Sequence, residues 1–368
     1  MTQDVLIIGA GIIGLATAEC LLKHGLKVTL LERGRIGQES SWAGGGILSP
    51  LCPWDYVKEV TQLTQYSASL FPAWASTLHK TTGIDPEYDQ CGMFILPPYD
   101  LKKAKLWCLK YNVTINQRAV SIPFSVKLHA KINNLGTIEQ AIFLPNIAQI
   151  RNPRLLNALH NRVIQLGANV IENCSVYDMV LKQKTVLSFN SSVGKFKADY
   201  FIIAAGAWSR EILGEYALNL NIKPISGQML LFKFDSPPLS SVIVKDNLYI
   251  IPRRDGHLLI GSTLEDTGFN KKISISARNH LLKFAQNFLP QLGELPIIRQ
   301  WSGLRPASPE NIPTIGQHPQ LSNLYINSGH FRYGVTMAPA SAEILTNEII
   351  GGAQPFDINP YQKGWNGN

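Results

Sequence analysis

The chain has 368 residues, more than one ordinary hydrophobic core supports, which points to two domains. Apolar residues make up 45% and charged residues 16%, which excludes a disordered chain, and no run of about eighteen uncharged apolar residues marks a transmembrane helix. The formal charge of +8 is dispersed without blocks of like sign, so it reads as an ordinary basic surface and gives no reason to expect a nucleic-acid partner.

Residues 5–18 are apolar and Gly-rich, but acidic Asp4 precedes them and no basic residue does, which is the wrong flank for a secretory signal. The five cysteines, Cys20, Cys52, Cys91, Cys108 and Cys174, show neither metal nor redox spacing. They read as thiols in a reducing cytoplasm, and no metal site is expected.

In chain order, residues 4–8 form a short apolar strand ending in glycine. Residues 12–24 have helical apolar spacing and stop at Gly25, and residues 27–31 form a second strand closed by Glu32. A Gly-rich loop occupies 40–46. The Trp-, Pro- and Tyr-rich stretch from 50 to about 99 shows no βαβ rhythm, and residues 101–110 suit a helix. Residues 152–166 look helical, 169–171 and 200–204 read as strands, and 176–196 alternates as hairpin strands do.

From 227 to 263 the pattern is antiparallel, with short β runs at 229–234, 242–245, 248–252 and 258–262. A helix at 276–289, a strand at 323–327 and a helix at 339–350 complete the reading. The expected fold class is α/β and α+β: a Rossmann-like dinucleotide domain made of 1–48, 146–222 and 301–368, interrupted by a substrate domain of 49–145 and 223–300 built on an antiparallel sheet.

The opening unit carries Gly9-Ala10-Gly11-Ile12-Ile13-Gly14, a G-x-G-x-x-G between a strand and a helix. Gly9 makes the tight turn, Gly11 lets the backbone approach a diphosphate, and Gly14 lets helix and strand pack closely. The helix N-terminus presents unpaired N–H groups and a positive dipole end to the phosphates. Glu32 ends the second strand, where a carboxylate accepts hydrogen bonds from ribose hydroxyls. The fingerprint alone does not separate FAD from NAD. Ser40 and Ser41, followed by Trp42-Ala43-Gly44-Gly45-Gly46, tip the reading toward FAD, because three successive glycines offer N–H groups with no Cβ in the way.

Taken with residues 40–50 (SSWAGGGILSP), 248–253 (LYIIPR), 303–306 (GLRP) and 329–334 (GHFRYG), the fingerprint resembles the D-amino-acid oxidase superfamily of flavoenzymes, and within it the glycine oxidases of thiamine biosynthesis. These segments keep the family order from residue 4 to about 350. The resemblance implies a non-covalent FAD whose ring lies between the two domains. It would be lined by Ile12, Ile13, Glu32, Arg33, Ser40, Ser41, Gly45, Gly46 and Ile47. Val176 would meet the adenine with its backbone, and Gly206 follows the strand at 200–204. His330, Phe331, Arg332, Tyr333, Gly334, Val335 and Thr336 would wrap the pyrimidine end of the flavin.

The resemblance also makes Arg305 the clamp for a substrate carboxylate, as a planar fork that binds it bidentately. Arg332 would lie near both flavin and substrate, and the Tyr249 hydroxyl would reach the same carboxylate. Both arginines are expected in loops beside glycines. His330 reads as a flavin neighbour rather than a general base, and Trp42 and Trp54 as packing residues. The implied reaction is oxidation of glycine, sarcosine or a small D-amino acid by hydride transfer to the flavin. It yields an imine, then a 2-oxo acid and ammonia, with oxygen reduced to hydrogen peroxide.

Small amino acid and oxygen are thus the expected reaction partners. The resemblance adds the thiazole-assembly enzyme as recipient of glycine imine and leaves a homo-oligomer open. Leu264 falls where some relatives carry methionine, which bears on pocket volume and substrate preference. Two other readings stay open: a D-amino-acid dehydrogenase that passes electrons to a quinone, and a non-catalytic flavin subunit.

Overall fold

A computed structural model describes residues 4–120 and 138–366. Two large sheets organise it. The first has six strands in the order Thr314–Gln317, Leu324–Ser328, Tyr200–Ile203, Asp4–Ile8, Lys27–Leu31 and Asn169–Ile171. All its pairs are parallel except the edge pair of Thr314–Gln317 with Leu324–Ser328. Its central strand is apolar at successive positions because it is covered on both sides: Val5 and Ile7 face one core, Leu6 and Ile8 another.

The first of those cores holds the helices Ile12–Lys23, Asn152–Gln165 and Gly334–Ile350. The second lies under a three-stranded meander, Val176–Lys182, Thr185–Ser191 and Gly194–Phe196.

The second sheet has eight strands, in the order Arg299–Ala307, Lys223–Lys233, His257–Gly261, Leu248–Pro252, Val242–Lys245, Met93–Ile95, Ile138–Leu144 and Asn116–Val120. It is antiparallel except where Val242–Lys245 meets Met93–Ile95. Period-two alternation sorts its side chains. Leu230, Phe232, Ile250 and Ile260 pack under the helix Ile275–Gln286, while Met229, Tyr249 and Ile251 point to the opposite face.

Several elements differ from the sequence reading. The stretch from 50 to 99 contains a 25-residue helix, Lys58–Thr82. Its buried positions Val60, Leu63, Ser67, Phe71, Ala75 and Leu78 keep helical spacing, but Ser67 interrupts the apolar series and Pro72 lies inside. This helix packs on the helix layer of the parallel sheet, not on the antiparallel one. Residues 40–43 of the expected loop form one helical turn. The last helix begins at Gly334, with Pro339 inside it rather than at its start. Arg305 lies in the strand Arg299–Ala307, not in a loop, because that strand continues through residues expected to begin the return to the first domain.

Phe71 is fully buried between helices that the chain order separates by more than two hundred residues. Phe71→Ala is expected to destabilise the protein by roughly 3–5 kcal/mol, read as a lower urea midpoint with an unchanged slope.

Candidate active site

The two sheets face each other across a cavity of about 440 Å³. Gly9, Gly11, Ile12, Ile13, Glu32, Arg33, Ser40, Ser41, Gly45, Gly46, Ile47, Val176, Gly206 and residues 330–336 all line it, together with Tyr249, Arg305 and Arg332. Gly14 does not line it. It sits beneath the turn, where a β-carbon would strike the carbonyl oxygen of Gly9, so its role is the close packing of helix on strand.

The phosphate-type end is built from backbone. Glu32 fixes the turn from behind: its carboxylate accepts from Ala10 N at 3.0 Å and Gly34 N at 3.0 Å. Ser41 Oγ accepts from Ile12 N at 2.9 Å and so satisfies one first-turn N–H of a helix whose own N-cap, Gly11, has no side chain to do it. The N–H groups of Ile13 and Gly14 find no acceptor among the described residues. The same holds for Gly44, Gly45 and Gly46. Of these residues Ile13, Gly44, Gly45 and Gly46 line the cavity, and their orphan donors, with a helix dipole behind them, suit a diphosphate and a flat heteroaromatic ring.

Asn152, which sequence reasoning missed, clips this loop by donating to Ser41 O at 2.8 Å and Gly44 O at 3.0 Å. Trp208 was missed as well. It lines the cavity with the Arg33 guanidinium stacked 3.5 Å from its ring centre.

The other end is built from the antiparallel sheet. Arg305 Nη1 donates to Ser226 O and Thr263 O, each at 3.2 Å, and Nη2 donates to Ser262 Oγ at 2.7 Å. Among the described residues no carboxylate pairs with it. Burial pulls its pKa down, and the neighbouring Tyr249 hydroxyl opposes that shift. The side chain is half-buried and lines the cavity.

Two glycines make room here. A β-carbon at Gly227 would strike the Arg305 guanidinium, and one at Gly261 would stand 2.7 Å from Tyr249 Cε2. Tyr249 Oη approaches Met229 Sδ at 3.8 Å, so Met229 closes the wall beside it. Leu264, by contrast, is 57% exposed and does not line the cavity. The substitution noted there does not set pocket volume; Met229 faces the space instead.

The turn at 329–333 brings the last elements together. Arg332 donates to Asn247 O at 3.2 Å and has no carboxylate partner among the described residues. Tyr333 and Tyr56 share a hydroxyl–hydroxyl hydrogen bond with edge-to-face rings 5.2 Å apart. Trp42 packs edge-on against Trp301, centroids 5.5 Å apart, and Trp54 is buried in the core.

His330 is buried, with Nε2 2.9 Å from Ser341 Oγ, and burial lowers its pKa to about 3. A neutral imidazole with that affinity for protons is no general base at neutral pH. Its folded pKa lies below the unfolded value, so the unfolded chain takes up the proton first. Stability is full above about pH 6.5 and falls as pH drops toward about 3, by about 1.36 kcal/mol per unit. His330→Gln, which keeps a polar atom near Ser341, is expected to flatten that slope in urea unfolding between pH 4 and 7.

A family profile described as FAD dependent oxidoreductase matches residues 4–348. Glycine oxidase from Pseudomonas aeruginosa is 39% identical over 363 residues, 98% of each chain. The bifunctional protein ThiO/ThiG of Trichormus variabilis is 32% identical over 359 residues, which cover 95% of this chain and 53% of that one. Among solved structures, glycine oxidase from Bacillus cereus superposes with a TM-score of 0.85 at 26% identity, over 95% of each chain. The glycine oxidase of Geobacillus kaustophilus superposes with a TM-score of 0.87 at 24% identity, over 98% of each. With the profile running through both sheets and the dinucleotide turn, this chain belongs to the FAD dependent oxidoreductase family, and FAD is its cofactor.

Proposed function

We propose that this enzyme oxidatively deaminates glycine, and with it sarcosine or small D-amino acids, to an imine that water converts to a 2-oxo acid and ammonia, or methylamine where sarcosine is the substrate. The observation that carries the reading is Arg305. It is a cation held by neutral oxygens, without a carboxylate partner among the described residues, and it lines the same cavity as the orphan N–H groups of the glycine turn. A guanidinium so placed takes an external carboxylate as a fork, and Tyr249, beside it, adds a hydroxyl donor. When bound, FAD supplies the acceptor for the substrate's α-hydrogen as hydride and the onward passage of electrons to oxygen, giving hydrogen peroxide.

The chain's own contribution is placement. Clamping the carboxylate fixes the α-carbon at one distance from the glycine loop, and the apolar wall of Met229 and Leu51 limits what the α-carbon carries. Neutral His330 leaves the cations Arg305 and Arg332 as the charges that meet the substrate at this end.

The flavin unit in this reading comprises 1–48, 146–222 and 308–368 with the helix Lys58–Thr82. The substrate unit comprises 83–145 and 223–307, which keeps the strand Arg299–Ala307 with its sheet. No helix among the described residues is long and apolar enough to cross a membrane. All five cysteines are free, which suits a reducing, cytoplasmic setting. The bifunctional ThiO/ThiG relative supports a thiazole-assembly enzyme as recipient of the imine.

Anaerobic glycine is expected to bleach the flavin absorption of the purified protein, and aerobic turnover to give peroxide. Arg305→Ala should raise the glycine dissociation constant roughly 30- to 1,000-fold, equivalent to about 2–4 kcal/mol. Bleaching at the parental glycine concentration would remove the clamp assignment. Dye reduction without oxygen uptake would instead indicate a quinone-linked dehydrogenase, and no bleaching by any small amine a non-catalytic flavin subunit.

A further inference from the structure

A second arginine lies behind the cavity, not in it. Arg253 follows the strand Leu248–Pro252 and is 4% exposed. Its Nη2 donates to Gly45 O at 2.6 Å, and its Nη1 to Ile150 O at 3.0 Å and Gln149 Oε1 at 2.8 Å. Its Nε has no partner, and among the described residues no carboxylate lies within ion-pair distance. Burial lowers its pKa to about 10, so it remains a cation at neutral pH. A buried, unpaired guanidinium is costly and persists where it fixes something.

What it fixes is the orientation of one peptide. The bond between Gly45 and Gly46 is trans, so the Gly45 carbonyl and the Gly46 N–H point in opposite directions. With the carbonyl drawn back to Arg253, the Gly46 N–H is turned forward, on a residue that lines the cavity, and it has no acceptor among the described residues. The same strip is tied a second time, because Ile150, whose oxygen Arg253 holds, donates its own N–H to Gly46 O at 2.8 Å. Gly46 sits at φ +75°, and a β-carbon there would strike Ile150 O, so the loop has little freedom to slide.

We propose that Arg253 is a positioning residue of the flavin site, which turns the Gly46 N–H toward the bound ring and, as a cation behind that peptide with no carboxylate in contact among the described residues, favours the two-electron-reduced ring over the oxidised one. This rests on the reading that FAD occupies the cavity. It does not depend on which amine is the substrate. A donor and a positive charge on one side of the ring act on whatever negative charge reduction adds there.

The test uses full-length parent, Arg253→Met and Arg253→Lys, each as apoprotein and as FAD-loaded enzyme. Far-UV circular dichroism establishes that the apoproteins fold, fluorescence quenching gives FAD affinity, and dye equilibration gives the flavin midpoint potential. In Arg253→Met, FAD affinity is expected to fall at least tenfold. A tenfold loss of preference for the reduced ring lowers the two-electron midpoint by about 30 mV. KM for glycine should stay within twofold while kcat drops.

Arg253→Lys keeps the charge and loses the fork. It should regain most of the potential but not the FAD affinity, and if Arg253→Met does not fold, this variant alone decides. Parental FAD affinity in Arg253→Lys, or parental affinity and potential in Arg253→Met, overturns the proposal while leaving FAD in the cavity. A parent chain that binds no FAD overturns the underlying reading as well.

Discussion

Arg305 carries a positive charge into the wall of a cavity where only neutral oxygens meet it. Removing a guanidinium from water without a counter-ion costs several kcal/mol, and three neutral acceptors return only part of that. The charge is therefore an unfinished ion pair. Much of the surrounding architecture serves to hold it unfinished. Strand pairing of Arg299–Ala307 with Lys223–Lys233 sets Arg305 opposite Ile225 and places Gly227, two residues on, under its head group. A side chain at 227 would displace the guanidinium, and an acidic neighbour would satisfy it. Among the described residues neither is present, which leaves the guanidinium without a carboxylate in contact.

The two sheets divide the electrostatic labour. The parallel sheet ends in backbone N–H donors and the dipole of the helix Ile12–Lys23, a donor set suited to phosphate oxygens. The antiparallel sheet supplies side chains: a cation, a phenol and an apolar wall, sorted to one face by period-two alternation. A ligand spanning the gap is held at one end by main chain and meets chemistry at the other. The helix Gly334–Ile350 and the turn before it come from the parallel side yet reach the same space, so neither unit completes the cavity alone.

What was legible in the sequence was whatever is contiguous. Gly9 to Gly14 and Glu32 sit in one βαβ unit, and the turn they build was readable from spacing, whereas the bracing of that turn by the Glu32 carboxylate was not. Residues 330–336 run through a turn into the first turn of the helix Gly334–Ile350, and their grouping followed from the family resemblance. What was not legible arises from register and from missing atoms. Arg305 looked like a loop residue because Gly303 and Pro306 flank it, while nine strand pairings override those local signals. The helix Lys58–Thr82 hid behind Pro72 and a buried serine, since tertiary burial on the last helix, not local propensity, decides its conformation. Pro339 suggested a helix start, whereas the helix begins five residues earlier and so delivers its first-turn N–H groups to the cavity. Asn152 and Arg253 act only through carbonyls more than a hundred residues away, and no one-dimensional pattern carries that.

The position of Leu264 shows how far such patterns mislead on selectivity. It falls where some relatives carry methionine, yet it is exposed, and Ser262, not Leu264, meets Arg305. Size selection then falls to Met229, which shares a face with Tyr249 because both pair with Gly261 from opposite strands. With no side chain between them at 261, the phenol and the thioether approach each other directly, and the space left above Arg305 is set by how those two side chains pack. A flexible thioether yields more readily than a β-branched wall would. The wall beside Arg305 is thus one adaptable thioether and one phenol rather than a fixed branched side chain.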